Sequence, residues 1–193
     1  MPTFDKVPLQ TARLLLRPLG PPDAAALLAV HSDAEVMRYS NMPPWASLEQ
    51  ATALIEQGQR GLSAGKHLCL GIVPRDVGMV VGTCTLYDLS EPNGRAEIGF
   101  VLGAHAWHKG YMTEALGALA EYSFHELGLN RLEADTDPRN ARSIATLERL
   151  GFVREGHLRE RWIISGEKSD TLLYGLLLKD WERIHGPKVK SDA

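Results

Sequence analysis

The feature that most constrains this chain is one junction. Residues 95–102, Arg-Ala-Glu-Ile-Gly-Phe-Val-Leu, alternate as a half-buried strand does, and a short loop, Trp107-His108-Lys109-Gly110-Tyr111-Met112, follows. The loop opens into a helix over 113–127, with Leu116, Leu119, Ala120, Phe124 and Leu127 on one stripe and Gly128 at its stop. A strand entering a helix in this way gathers backbone N–H groups at the positive end of the helix dipole. Such a place suits a phosphate or diphosphate. An ordinary turn eased by Gly110 is the other reading of the same residues.

The rest of the chain frames the junction. Residues 11–19 read as a strand ending at Pro18, Gly20–Asp23 as a turn, and Ala24–Val30 as a short helix with His31–Arg38 continuing for a turn or two. Ser47, with Gln50 three residues on, caps a helix reaching about Leu62. His67–Val73 and Met79–Leu86 form a hairpin about the Arg75–Gly78 turn, and Glu91–Gly94 turns the chain into the 95–102 strand. Leu132–Thr136 is a further strand. Asp137 then caps a helix with Pro138 at its first position and Gly151 past its end. Phe152–Ile164 and Thr171–Leu178 are closing strands, and the polar tail from Gly186 is expected to be flexible. A hairpin followed by β-α-β-α-β-β gives an α/β (α+β layered) fold in one domain spanning 1–193.

Bulk properties narrow the function classes. A net charge of −3 provides no global field for nucleic acid or anionic membrane. No apolar run reaches membrane-spanning length and the first 17 residues lack a signal-peptide core, so a cytoplasmic location is expected. Cys69 and Cys84 lie about symmetrically around the 74–78 turn as potential cross-strand neighbours, and read as reduced core residues. The histidines show no metal-ligand spacing, and no Ser/His/Asp or Cys/His constellation emerges, so no metal is expected.

A second cluster follows Pro138. Asn140, Ser143, Ile144 and Leu147 are spaced to share one helical face, which fits either capping residues or a site. Asp137-Pro138-Arg139-Asn140-Ala141-Arg142-Ser143, followed by Leu147-Glu148-Arg149-Leu150-Gly151-Phe152, resembles the Asn-x-x-Ser…Leu-Gly-Phe element of the GNAT superfamily of N-acetyltransferases. The Trp107–Met112 loop resembles that family's diphosphate loop, with His108 in place of its first glycine, Gly110 at the second and Met112 at the final small site. Trp107, Tyr111 and Thr113-Glu114-Ala115 are similar to the RimJ/RimL-like branch, as are Thr11-Ala12-Arg13-Leu14 and the 33–39 segment.

The resemblance implies a central mixed, mostly antiparallel sheet flanked by helices, with acetyl-CoA as co-substrate. It implies direct transfer to a primary amine through a tetrahedral intermediate, the acceptor being a protein N-terminus or a small molecule. Phe100, Val101 and Leu102 would flank the thioester, and a backbone N–H there would polarise its carbonyl. Trp107, His108, Lys109, Gly110, Tyr111, Met112 and Thr113 would hold the diphosphate, with Asn140, Arg142 and Ser143 alongside. Arg139 and Arg142 either meet the adenine-side phosphate or are exposed helix arginines.

Where many relatives have a Tyr seven residues after the Asn, this chain has Leu147, so Ser143 becomes the candidate donor to the leaving thiolate. A thiol pKa near ~8.5 means that the thiolate needs little help. Glu97 is the candidate base, directly or through water, or else it pairs with Arg95. Glu160 is a lesser candidate, because the matched position is Trp162. At pH 7 roughly one in ten α-amino groups is neutral, against fewer than one in a thousand lysines, so an N-terminal acceptor needs less basic help. A non-catalytic acyl-CoA-binding module is the alternative reading. A monomer or homodimer is expected, with no nucleic-acid or membrane partner.

Overall fold

Alternation of apolar and polar side chains sets the register of the sheet. In the computed structural model, which describes residues 3–186, Leu14 and Leu16 face inward from the strand Leu14–Pro18. The elements run β1 (Leu9–Gln10), β2 (Leu14–Pro18), α1 (Ala24–His31), α2 (Ala34–Met37), α3 (Leu48–Ser63), β3 (Leu68–Pro74), β4 (Gly82–Ser90) and β5 (Arg95–Leu102). They continue with α4 (Tyr111–His125), β6 (Arg131–Thr136), α5 (Ala141–Arg149), β7 (Val153–Ile164), β8 (Glu167–Leu177) and α6 (Leu178–His185). The flexible tail expected at the C-terminus lies, beyond Gly186, outside the described residues.

One eight-stranded sheet has the order β1-β2-β3-β4-β5-β6-β8-β7. Every neighbouring pair is antiparallel except β5–β6. The expected mixed, mostly antiparallel sheet flanked by helices is therefore the observed fold. One face carries Leu14, Leu16, Leu68, Leu70, Ile72, Cys84, Leu86 and Ala96 against Ala115, Leu116 and Leu119 of α4. The other buries Cys69, Val73 and Val80 with Leu27, Trp45, Ala51 and Ile55 on the α1–α3 side. Truncating a fully buried leucine such as Leu116 to alanine removes about 2–5 kcal/mol of stability.

The parallel seam positions the site. β5 and β6 pair only from Arg95↔Arg131 to Glu97↔Glu133. Beyond Glu97, β5 stays with β4 as far as Leu102, while β6 stays with β8 as far as Thr136. The two half-sheets part there, and β5 leads out of the gap into the loop before α4.

Several elements differ from expectation. α4 starts at Tyr111, two residues early, because Gly110 takes φ +76° and serves as the N-cap. The stretch after His31 breaks into a separate α2, since the Asp33 carboxylate accepts from the Glu35 amide at 2.8 Å and starts a new turn. The cap of α5 is Asn140, whose Oδ1 accepts from the Ser143 amide at 3.1 Å. Asp137 instead accepts from the Arg139 amide at 2.8 Å and binds its guanidinium, shaping the turn ahead of the helix.

β8 begins at Glu167 because Ser165 and Gly166 both take positive φ (51° and 87°), the geometry of a two-residue hairpin. β1 and α6 were not anticipated. Cys69 and Cys84 sit on adjacent strands but pair with Thr85 and Leu70 respectively, so they face opposite sides of the sheet and are free thiols.

Candidate active site

The loop after β5 is built by side-chain and backbone bonds. Gly103 N–H donates to Val81 C=O at 2.8 Å, and Trp107 Nε1 donates to Leu102 C=O at 2.7 Å, folding the indole back beside the strand. His108 (φ +61°) and Gly110 (φ +76°) then take left-handed conformations, and α4 begins. For histidine that conformation is uncommon, and it lets the loop keep its turn without the family's first glycine. Gly110 has no side chain with which to cap α4, so the first-turn amides face outward for an external acceptor.

A cavity of about 530 Å³ lies against these amides. Of the residues expected to hold acetyl-CoA, Phe100, Val101, Leu102, Trp107, His108, Gly110, Tyr111, Met112, Thr113, Asn140, Arg142 and Ser143 all line it. Lys109 does not; its ammonium lies 5.9 Å from the centre of the Tyr111 ring. The volume falls within the range of ordinary small-ligand sites. Its floor is apolar, from Phe100, Leu102, Met37 and Met112, and its α4 end is polar and cationic.

Five lining residues were not anticipated as part of the site: Ala106, Ala145 and Thr146, and two polar contributors of more consequence. Arg149 lines the cavity two turns after Arg142, with Nη1 3.5 Å from Thr113 Oγ1. The seven-residue spacing of Arg142 and Arg149, with Thr146 between, was the available signal. The other is Ser40, beside Glu35, Val36, Met37 and Tyr39 of the 33–39 segment on the opposite wall. Arg142 joins the two walls, with its guanidinium 3.9 Å from the Trp107 ring centre and 3.5 Å from Glu35 Oε1. Arg139 is not part of the cavity lining; it is paired with Asp137 and Glu167 and lies over the ring of the lining residue Tyr39.

The expected Asn140–Ser143–Ile144–Leu147 face divides in function. Leu147 is wholly buried and Ile144 packs on the same core, while Ser143 lines the cavity. A tyrosine at 147 would therefore have met a core position in this chain.

Glu97 lies outside the cavity lining, three residues before Phe100, or ~10 Å along the strand. It is half-buried, and Tyr87, its cross-strand partner, donates its hydroxyl to Oε1 at 2.6 Å. Gly99 makes this possible: a side chain there would come within 3.2 Å of the Tyr87 ring. Burial pushes the Glu97 carboxyl above its ordinary pKa; the Tyr87 bond opposes this, Asp135 and Asp88 add to it, and Arg161 opposes it. Asp135, across the gap on β6, is likewise raised by burial, with Arg161 pulling it down from 3.7 Å. Arg95 pairs with Glu133 rather than Glu97. Glu160 is exposed and held by Lys168 at 2.6 Å.

The arrangement joins an anion-receptive end, an apolar channel beside a strand edge, and a carboxylate of raised proton affinity. Among the described residues, no group of three His, Cys, Asp or Glu is placed to hold a metal ion. No helix among them is long and apolar enough to cross a membrane.

Known proteins share both sequence and architecture. The acetyltransferase (GNAT) domain family matches residues 13–153. The chain is 36% identical over 173 residues to the uncharacterized N-acetyltransferase p20 of Bacillus licheniformis, covering 90% of this chain and 97% of that protein. It is 26% identical over 185 residues to the ribosomal protein uS5-alanine N-acetyltransferase of Escherichia coli strain K12, covering 91% and 93%. A crystal structure of a GNAT-family acetyltransferase from Bacillus anthracis matches with a TM-score of 0.78 at 25% identity, covering 88% and 97%.

Proposed function

Since this chain belongs to the GNAT family and is an acetyl-CoA-dependent N-acetyltransferase acting on an amine, we propose that it is a RimJ/RimL-like member. In this reading the whole chain is one cytoplasmic catalytic domain, and the acceptor is a primary amine, of a protein N-terminus or of a small molecule. Support for the branch comes from Trp107 and Thr113-Glu114-Ala115 around the loop, and from similarity to an enzyme that acts on the alanine of a ribosomal protein.

Acetyl-CoA supplies the activated acyl thioester. The amides of Tyr111, Met112 and Thr113 bind its diphosphate, and Arg142 and Arg149 add charge at the same end. Phe100 and Leu102 exclude water from the acyl arm, and a β5 amide orients the carbonyl. Glu97 takes a proton from the acceptor ammonium through water, leaving the neutral amine to attack the thioester carbonyl; its position upstream of the cavity leaves room for that water. Its raised proton affinity suits a base working near neutral pH. Ser143 donates a hydrogen bond to the departing thiolate.

The observation that carries this reading is the cavity itself, in which the α4 amides, two arginines and the free run of β5 converge. The test is calorimetry with acetyl-CoA, joined to free-thiol release over a panel of amines and N-terminal peptides. Binding with turnover on one amine class is expected. Tight binding with no thiol released from any acceptor would instead make the chain a non-catalytic acyl-CoA module.

A further inference from the structure

Outside the cavity lining, against the loop's exit into α4, lies a polar cluster to which the proposed mechanism gives no role. Thr11 and Arg13 precede β2, and Glu114 lies in the first turn of α4, about a hundred residues later. Thr11 Oγ1 and the Arg13 amide donate to Glu114 Oε1 at 2.6 and 2.9 Å, and Arg13 Nε donates to Oε2 at 2.6 Å. Arg13 Nη2 also lies 2.6 Å from Oε2, while Nη1 donates to the Lys109 carbonyl at 2.8 Å. The same guanidinium lies 5.1 Å from the Tyr111 ring centre. One side chain thus grips both sides of the loop's exit into α4.

We infer that Arg13 is a positioning residue for the acetyl-CoA diphosphate: it turns the Lys109–Gly110 peptide so that its N–H faces the cavity, and it neutralises Glu114 beside the anion. The inference rests on the acetyl-CoA reading above. A trans peptide is planar with its C=O and N–H on opposite edges. Holding the Lys109 carbonyl against Arg13 therefore sends the Gly110 N–H the other way. The cavity lining agrees, for Gly110 belongs to it and Lys109 does not.

The loop needs an outside hold. His108 and Gly110 are both left-handed, a conformation that costs a histidine free energy, and the Arg13 bond to the Lys109 carbonyl ties down the residue between them. Glu114 poses the second requirement. A carboxylate in the first turn favours the helix dipole but repels a phosphate bound there. Paired with Arg13, it keeps the helix benefit without presenting net negative charge to the ligand. Arg13 is half-exposed and outside the cavity, so its action on the ligand passes through the peptide and the carboxylate.

The experiment is calorimetry on the full chain with CoA, and with pantetheine, which has the same thiol arm and no diphosphate. Arg13→Met keeps an aliphatic stem on Tyr111 and removes every side-chain donor, leaving the backbone amide bond to Glu114 in place. It is expected to weaken CoA by roughly 10- to 100-fold, the weight of one charge-assisted hydrogen bond, and to leave pantetheine unchanged. Adding Glu114→Gln should recover part of the loss, because the unpaired carboxylate is gone.

Arg13→Lys retains a charge for Glu114 but cannot also reach Lys109, so its CoA affinity should fall between the two. It also keeps the question open to measurement if Arg13→Met folds poorly. Unchanged CoA affinity in both Arg13 variants overturns the inference, as does an equal loss for CoA and pantetheine. Failure of the wild-type protein to bind CoA at all would overturn the acetyl-CoA reading itself, a separate result.

Discussion

Replacing His31 by leucine should remove a specific part of the protein's acid sensitivity. His31 ends α1, is 5% exposed, and stacks on Trp45 at 4.0 Å between ring centres and 12° between planes. Neither ring nitrogen has a hydrogen-bond partner among the described residues. Burial without a partner disfavours the imidazolium and lowers the pKa from 6.5 to about 4. Between these values the unfolded chain binds a proton at His31 that the folded chain refuses, so stability falls as pH drops from 6.5 towards 4. The contribution is absent above 6.5. At pH 5 it amounts to about 2 kcal/mol, from a slope of about 1.4 kcal/mol per pH unit over the part of the window already crossed.

His31→Leu cannot titrate, so it should lose about 2 kcal/mol less than wild type between pH 8 and pH 5, equivalent to roughly 4–8 °C in Tm for a chain of this size. Other carboxylates and histidines titrate in both proteins and cancel in the difference. Urea denaturation of both at the two pH values measures it directly. A stability difference between them that is the same at pH 8 and pH 5 would refute the argument, and would mean that the imidazole is solvated or partnered in solution.

Gly110→Asp should abolish the rise in melting temperature produced by acetyl-CoA, because a side chain at φ +76° strains the turn that opens α4 and its Cβ lies 3.4 Å from Arg13 Nη2, where the new carboxylate competes for the guanidinium that holds the Lys109 carbonyl; a normal calorimetric titration would count against the diphosphate site. Glu97→Gln should lower turnover with little change in acetyl-CoA affinity, and more at low pH for a lysine-like acceptor than for an α-amine; a wild-type pH profile would rule Glu97 out as base. Tyr87→Phe removes a hydrogen bond that favours the Glu97 carboxylate, so the acid limb of the pH–rate profile should move to higher pH. Ser143→Ala should reduce kcat only several-fold, measured as thiol release, since a thiolate already leaves well.

Local patterns carried much of this structure, and tertiary bonds carried the rest. Arg95–Leu102 matches its expected strand limit for limit, because alternation and the flanking turn both act within a few residues. The start of α4 was misplaced since Gly110 reads equally as a turn residue or as an N-cap, and only its φ decides. The aspartate–proline pair at 137–138 suggested a cap, yet the Arg139 side chain captures that carboxylate and leaves Asn140 to start the helix. Little in the sequence marks α6, because its eight residues follow directly on a strand and only Trp181 among them is buried to define a face. Of the site, the loop and the Asn140–Ser143 pair were visible in one dimension. Arg13 was seen there only as part of a family-like segment, since its partners lie about a hundred residues away and no spacing rule links them.

The short parallel seam also bears on how the chain acquires its shape. Strands β1 to β5 are neighbours in the sheet in the order in which they leave the ribosome, so each from β2 onward has a partner already made when it emerges. β6 is different: its β5 contact spans only three residue pairs and must wait for the whole crossover through α4. Its longer ladder is with β8, which is made later still. Assembly of the second half-sheet and closure of the seam are therefore late events in synthesis, and the candidate site proposed where the halves part comes into being only with the last third of the chain.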